Sequence, residues 1–333
     1  MKTISVVLPT YNEEENVVPI HNAIVEIFKT KLPNYNYEIL FIDNKSQDRT
    51  RDRIRGICYK DSHTKAIFNA QNFGFLNSPY YGLLNASGDC AILMASDFQE
   101  PVELIPQMVQ EWENGNKVVC CVKTSTSAES GLMYSIRSLY YHTLKKMSSG
   151  VEQIEHFTGF GLYDRDFLET LRSLNDPMPF LRGIVAEFSP DRKLITYRQA
   201  KRRSGKTKFN LYRLYELAMI SFTSYTKVGL RLASIGGFFL AALSLLASAV
   251  FFVLRIAFPD MFPEGNVALT LFILVFGAIQ VFFIGLVGEY ILSINTRIIN
   301  RPLVVEEERV GFPRRESRPE TGVTAHVDLK LDS

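Results

Sequence analysis

The chain has 333 residues, 47% of them hydrophobic and 22% charged, with a formal net charge of +2. That length accommodates one large domain plus an appendage, and so even a charge balance excludes a partner held by a global basic field, nucleic acid in particular. The four cysteines (Cys58, Cys90, Cys120 and Cys121) have no metal-ligand spacing, which predicts buried reduced thiols in a cytosolic domain.

Met1-Lys2-Thr3 leads directly into a strand-like run, which predicts no signal peptide. Residues 3–8 are expected as a buried strand, followed by a helix from about Glu13. Tyr37–Ile42 predicts a second strand, with a helix near Gln47–Tyr59. Lys65–Asn69, Cys90–Ala95 and Lys117–Val122 predict three more strands, and the intervening helices start near Ser78 and Pro101. This alternation predicts a mostly parallel α/β sheet with ligands at the carboxyl ends of its strands. Tyr134–Ser149 reads as a longer helix, and Phe157–Tyr163 as a strand or loop rich in glycine and aromatics.

From Phe209 to Thr226, Leu211, Leu214, Tyr215, Ala218, Phe222 and Tyr225 recur at three- and four-residue spacing. That is an amphipathic helix, able to lie in a membrane interface or to pack on the globular domain. Leu232–Leu254 and Val267–Gly288 follow, uncharged runs of 23 and 22 residues. Each exceeds the ~20 residues a helix needs to cross a bilayer core. The short turn Pro259–Asn266 between them predicts a membrane hairpin. Lys227, Arg231, Arg297 and Arg301 flank its open end against Arg255 near the turn, which places both termini in the cytosol. The organisation expected is therefore a cytosolic domain over 1–208, an amphipathic helix over 209–228, a two-helix membrane hairpin over 229–300, and a charged, mobile tail over 301–333.

Four successive strand ends carry polar turns. The first holds Pro9-Thr10-Tyr11-Asn12-Glu13-Glu14, where Tyr11 offers a ring to stack on a base and the acids cap the next helix; alone, it is equally a helix start. The second is Asp43-Asn44-Lys45-Ser46, with Asp43 placed to hydrogen-bond a base or ribose. The third is Gln71-Asn72-Phe73-Gly74, whose backbone can approach a ligand closely. The fourth is Ala95-Ser96-Asp97-Phe98-Gln99-Glu100-Pro101, an apolar strand ending in acids before a helix-starting proline.

In that order these segments resemble the family 2 glycosyltransferases of the GT-A fold. With the hairpin, the chain is most similar to the polyprenyl-phosphate glycosyltransferases, the group of dolichyl-phosphate mannose synthases and bacterial undecaprenyl-phosphate glucosyltransferases. The resemblance covers roughly residues 3–300. It implies a GT-A-type, mostly parallel sheet with flanking helices, followed by the amphipathic helix and the two-helix hairpin. It also implies that Pro9, Tyr11, Glu13, Asp43, Asn72, Asp97 and Gln99 bind the nucleotide. Where the family reads Asp-Asp-Gly-Ser, this chain keeps Asp43 but has Lys45 in place of the glycine.

The family's metal motif, Asp-x-Asp followed by Leu-Gln-Asp-Pro, is matched by Asp97, Gln99 and Glu100, but Ala95 replaces its first acid. A Mg²⁺ or Mn²⁺ ion takes six oxygen ligands, several from water and substrate phosphates, so Asp97 with Glu100 implies a weakened site rather than none. Phe157-Thr158-Gly159-Phe160-Gly161-Leu162-Tyr163-Asp164-Arg165 is similar to the acceptor-side segment Thr-Gly-Asp/Ser-Phe-Arg-Leu-x-Asp-Arg. Phe160 is read at the place of the acid proposed there as a base; Asp164 and Arg165 are kept, for structure or for chemistry. Lys201-Arg202-Arg203-Ser204-Gly205-Lys206-Thr207-Lys208 resembles the family's Arg-x-x-Gly-x-Ser/Thr-Lys loop. Arg202, Thr207 and Lys208, joined by Arg182, are the candidates for holding acceptor and diphosphate phosphates; a basic patch on anionic lipid is the alternative use.

A phosphate monoester is already largely a dianion at neutral pH, because its second pKa is about 6. Missing acids are therefore compatible with a lipid-phosphate acceptor and harder to reconcile with a hydroxyl, which needs a base. The function expected is that of a membrane-anchored inverting transferase. It moves sugar from a nucleoside diphosphate, UDP in the first instance, to a polyprenyl phosphate at the cytosolic face of a bacterial inner membrane. Asp97, Arg202 and Lys208 carry the chemistry, and the resemblance adds a homotetramer. The competing readings are transfer to a sugar hydroxyl in polysaccharide synthesis and an inactive nucleotide-sugar-binding scaffold.

Overall fold

A computed structural model describes residues 1–124, 154–200, 267–299 and 301–312, with isolated helical positions between 239 and 257. The expected helix at 134–149, the basic loop 201–208 and the amphipathic segment 209–228 lie outside the described residues, as does 313–333.

The first half alternates strand and helix as predicted. β1 (Thr3–Thr10), α1 (Val17–Lys31), β2 (Asn36–Asp43), α2 (Thr50–Lys60), β3 (Thr64–Asn69), α3 (Gly74–Asn85) and β4 (Cys90–Leu93) follow one another. A single 3₁₀ turn (Val102–Leu104) leads into α4 (Ile105–Glu113) and β5 (Val118–Lys123). Then come β6 (Phe157–Asp164), α5 (Arg165–Leu174), α6 (Leu181–Phe188), β7 (Lys193–Tyr197), the long helix α7 (Val267–Ile298) and β8 (Glu306–Val310).

The eight strands form one sheet in the order β7-β5-β6-β4-β1-β2-β3-β8. Its centre, β4-β1-β2-β3, is parallel, while β6 and β8 run antiparallel to their neighbours. Parallel strands are covered on both faces, which explains their unbroken apolar runs: Ile4, Val6, Val7 and Leu8 of β1 are all fully buried. The covering helices are amphipathic. α1 buries Val17, Ile20, Ile24, Ile27 and Phe28 at three- and four-residue spacing, each burial stabilising the fold by about 2 kcal/mol. Gly161 permits the tight pairing of β5 with β6, since a Cβ there would lie 2.3 Å from the carbonyl oxygen of Val119. All four cysteines are free, and Cys90, Cys120 and Cys121 are buried as expected.

The C-terminal part departs from expectation. Residues 301–312, read as the start of a mobile tail, return to the sheet, where β8 pairs antiparallel with β3 (Ala66 with Val310, Ile67 with Arg309, Phe68 with Glu308). The strand carries three consecutive acids and no alternating apolar face, so periodicity gives no sign of it; ion pairs and edge hydrogen bonds hold it in place.

α7 has 32 residues, about 48 Å at 1.5 Å per residue. Its described side chains include exposed Leu269, Phe272, Ile273, Val281, Ile284, Ile291 and Leu292. In the preceding apolar run, Phe239, Leu243, Leu246, Val250 and Val253 are helical and exposed. Side chains are described for only part of these segments, and among the described residues no helix is long and apolar enough to cross a membrane. The hairpin therefore stays an inference from the sequence.

Candidate active site

The chain leaves β1 for β2 and β3 on one side and returns to β4 on the other. Such a switch point opens a crevice at the carboxyl ends of the two central strands. The turns around it share a backbone feature: Asn12 after β1, Lys45 after β2, Gly74 after β3 and Phe98 after β4 all have positive φ, at 57°, 67°, 87° and 62°. For a non-glycine residue this conformation costs of order 1 kcal/mol, so side chains must hold the turns. The backbone N–H of Asn12 donates to Ser46 Oγ at 2.8 Å, and Asn12 Oδ1 accepts from the N–H of Gln47 at 2.7 Å. Lys45, where the family carries glycine, donates to Glu307 Oε2 at 2.7 Å.

At the β2 turn Asp43 is fully buried. It accepts from Arg51 Nε at 2.6 Å, from the N–H of Ser46 at 3.1 Å and from the Ser46 hydroxyl. These bonds shape the β2 turn, and Tyr11 of the β1 turn is half-buried. Glu13 is also buried and accepts from Asn16 Nδ2 at 2.6 Å, while its N–H donates to Thr50 Oγ1 at 2.8 Å. It braces the start of α1, and this bracing moves the helix start from Glu13 to Val17. Asn72 Oδ1 accepts from the N–H of Gly74 at 2.9 Å and from Asn44 Nδ2 at 3.0 Å, shaping the exposed β3 turn.

At the β4 turn, Ser96 Oγ donates to the Pro9 carbonyl at 3.0 Å, tying this turn to β1. Asp97 Oδ1 accepts from the N–H of Gln99 at 3.1 Å. The Gln99 carbonyl accepts from the N–H of Ala200 at 3.2 Å. Ala200 is the last described residue before the basic loop, and Arg202, Thr207 and Lys208 lie outside the described residues. Glu100 Oε2 accepts from the N–H of Ala95 at 2.6 Å, and Oε1 accepts from Thr158 Oγ1 at 3.1 Å.

Burial pushes the Glu100 carboxyl up to about 7 against the hydrogen bonds from Ala95 and Thr158, and nearby Asp97 adds a smaller push. The sign of the consequence follows. Between its ordinary value of 4.5 and about 7, the folded chain holds more protons than the unfolded one, so stability falls as pH rises through that window, by about 3 kcal/mol. Gln at 100 can accept from Ala95 and donate to Thr158, so E100Q is expected to remove this slope; denaturation midpoints from pH 4.5 to 7.5 measure it.

Among the described residues no group of three His, Cys, Asp or Glu could hold a metal ion. Asp97 and Glu100 supply hard oxygen donors, which suit Mg²⁺ or Mn²⁺ if diphosphate and water complete the shell. A cavity of about 210 Å³ opens beside them, lined by Pro9, Ala95, Glu100, Thr158, Phe160 and Arg182 among others. Arg182 thus joins the site, and Phe160 forms its wall, 1% exposed and edge-on to Tyr197 at 5.4 Å. Anchored on Leu162-Tyr163-Asp164-Arg165, the family's acid falls at Gly159, one residue before the position expected, and Gly159 sits at φ +103°. Neither position carries a carboxylate.

Asp164 and Arg165 lie at the other end of the sheet, where Asp164 pairs in register with Cys90. Asp164 caps α5 through the N–H of Asp166 at 2.9 Å and accepts from Trp112 Nε1 at 2.6 Å. Arg165 donates to the carbonyls of Ala86 and Gly88. Both are structural. Sequence reading missed Arg51, Ser46, Thr158 and Glu307, whose partners come from distant elements.

The sequence model of the family described as Glycosyl transferase family 2 matches residues 5–172. The SfII prophage-derived bactoprenol glucosyl transferase of Shigella flexneri is 31% identical, over 93% of this chain and 99% of its own. The prophage bactoprenol glucosyl transferase homolog of Escherichia coli (strain K12) is 31% identical, over 86% of this chain and 93% of its own. Among solved structures, glucosyl-3-phosphoglycerate synthase from Mycobacterium tuberculosis in complex with Mn²⁺, UDP and glucosyl-3-phosphoglycerate is similar at 15% identity and a TM-score of 0.46, over 67% of this chain and 78% of that one.

Proposed function

The chain belongs to glycosyl transferase family 2, and from that premise we propose that it is a membrane-anchored inverting transferase passing sugar from a UDP-sugar to a polyprenyl phosphate at the cytosolic face. The observation that carries this reading is the extent of the match to a bactoprenol glucosyl transferase, 93% of this chain and 99% of that one. A match so long leaves out no more than a short terminus, and so takes in the apolar segments as well as the sheet. Exposed apolar side chains along α7 support a lipid setting for them.

In the reaction, an oxygen of the acceptor phosphate dianion attacks the anomeric carbon from the face opposite the diphosphate. The new C–O bond forms as the bond to the leaving diphosphate breaks, and the electron pair departs with UDP. No proton moves. The chain's task is to hold two anions in line and neutralise the leaving charge. The turns after β1 and β2 receive the nucleoside, Arg182, Arg202 and Lys208 take phosphate charge, and Thr207 adds a hydroxyl donor. Asp97 and Glu100 would hold the Mg²⁺ or Mn²⁺ ion, which supplies charge neutralisation at the diphosphate.

Membranes containing the chain, incubated with radiolabelled UDP-sugars and extracted with organic solvent, should yield labelled polyprenyl-phosphate sugar with one sugar of the panel. Label confined to a water-soluble polymer would indicate the hydroxyl acceptor instead. UDP binding without turnover would indicate the scaffold.

A further inference from the structure

The strand that follows the long apolar helix reaches the nucleotide side of the sheet. α7 ends at Ile298 and β8 begins at Glu306. Between them the N–H of Ala70 donates to the Val305 carbonyl at 2.9 Å, anchoring the returning chain to the β3 turn. In the pairing of β8 with β3, Phe68 faces Glu308 and Asn69 faces Glu306, so Glu307 is the extra residue of a bulge. Bulges re-aim side chains, and here the three consecutive acids diverge. Glu308 pairs with Arg55 at 2.7 Å, and Glu306 accepts from Tyr81 Oη at 2.6 Å and pairs with Arg309. Glu307 alone turns to the β2 turn, at 2.7 Å from Lys45 Nζ and 2.9 Å from Arg51 Nη1.

Arg51 is the hub. Its Nε donates to buried Asp43 at 2.6 Å, its Nη2 to the Asn69 carbonyl at 2.6 Å, and its guanidinium lies 5.4 Å from the centre of the Phe68 ring. From Asp43 the connection continues to Ser46 and, through Ser46 Oγ, to the N–H of Asn12 in the β1 turn. A continuous line of contacts, charge-assisted as far as Ser46, therefore joins the post-helix strand to both turns assigned to the nucleoside. Lys45, and after it Arg51, hold the Glu307 carboxyl down to about 2, so this end of the line is ionised at any working pH.

We propose that Glu307 is a positioning residue of the nucleotide site: β8 fixes Lys45 and Arg51, and through Arg51 holds Asp43 and the Ser46 turn in the form that receives the UDP-sugar. This rests on the nucleotide reading above. It makes the donor site depend on a segment delivered by the apolar helix, so that the far end of the chain completes the crevice opened by its first two strands.

The test uses the full chain in detergent, titrated calorimetrically with UDP and Mg²⁺ and then assayed for transfer. E307Q should bind UDP about ten-fold more weakly, the effect of one charge-assisted contact, and raise the donor KM by the same factor. Its kcat and lipid KM should stay unchanged, and E307D should recover part of the loss. E308Q removes an ion pair of similar exposure on the same strand but away from the turn, and should leave UDP affinity within two-fold. Equal UDP affinity in E307Q and wild type, or an equal loss in E308Q, overturns the proposal while leaving the nucleotide reading intact. If E307Q fails to fold, the comparison falls to E307D, and a donor KM no higher than that of E308Q overturns it. No UDP binding by the wild-type chain overturns the nucleotide reading and this proposal with it.

Discussion

Replacing Asp97 by Asn is expected to lower sugar transfer by about 100- to 1,000-fold, the range found when one group aimed at developing charge is removed. The expectation rests on what Asn preserves. Its side-chain oxygen can still accept from the N–H of Gln99, the bond that Oδ1 makes at 3.1 Å, and Ser96 still ties the turn to Pro9. The φ of 62° at Phe98 is unchanged, because the tie and the turn hold it. The substitution removes the charge while keeping this acceptor oxygen. Because Ala95 contributes no carboxylate, Asp97 is the acid that this turn cannot replace, and D97N should also raise the Mn²⁺ concentration needed for half-maximal rate. Initial rates of lipid labelling across a Mn²⁺ titration measure both effects. A wild-type rate at every Mn²⁺ concentration would show that Asp97 does not hold the metal.

The strands of the first half were legible to within two residues because each is an apolar run that gives way to a polar turn. Helix starts were less so. α3 begins at Gly74 rather than Ser78 because Asn72 caps the turn, and α1 begins at Val17 because Glu13 is spent on Asn16 and Thr50. β7 and β8 were invisible for a common reason. They are edge strands, and Lys193–Tyr197 and Glu306–Val310 lack the buried runs that mark a central strand. The site divided in the same way. Its location followed from four polar turns in a row, a local signal. Its internal wiring did not, since Arg51 to Asp43 spans 8 positions, Thr158 to Glu100 spans 58 and Arg51 to Glu307 spans 256. Spacing rules address residues within an element, whereas these contacts exist only once the sheet has brought its edge together.

The acceptor is the point at which the lost carboxylates make the strongest claim. Polyprenyl phosphate should be glycosylated at least about 1,000-fold faster than the corresponding polyprenol, a factor within the range contributed by a general base that a hydroxyl would require. Gly159 and Phe160 supply no such base, and Phe160 is packed against Tyr197 as a wall. Glu100 is the carboxyl that touches this segment, accepting from Thr158 through one oxygen and from Ala95 through the other. The pH dependence separates the possibilities. With a phosphate nucleophile, the rate at saturating donor should rise from pH 5 to 7 with a midpoint near 6, the second ionisation of the acceptor itself. With Glu100 as base, the midpoint would lie near its own value of about 7 and would vanish in E100Q. We expect the midpoint to stay near 6 in E100Q even where the rate falls, because the titrating group belongs to the lipid. Comparable transfer to polyprenol, or a midpoint that moves with residue 100, would return the acid–base role to the protein and with it the hydroxyl-acceptor reading.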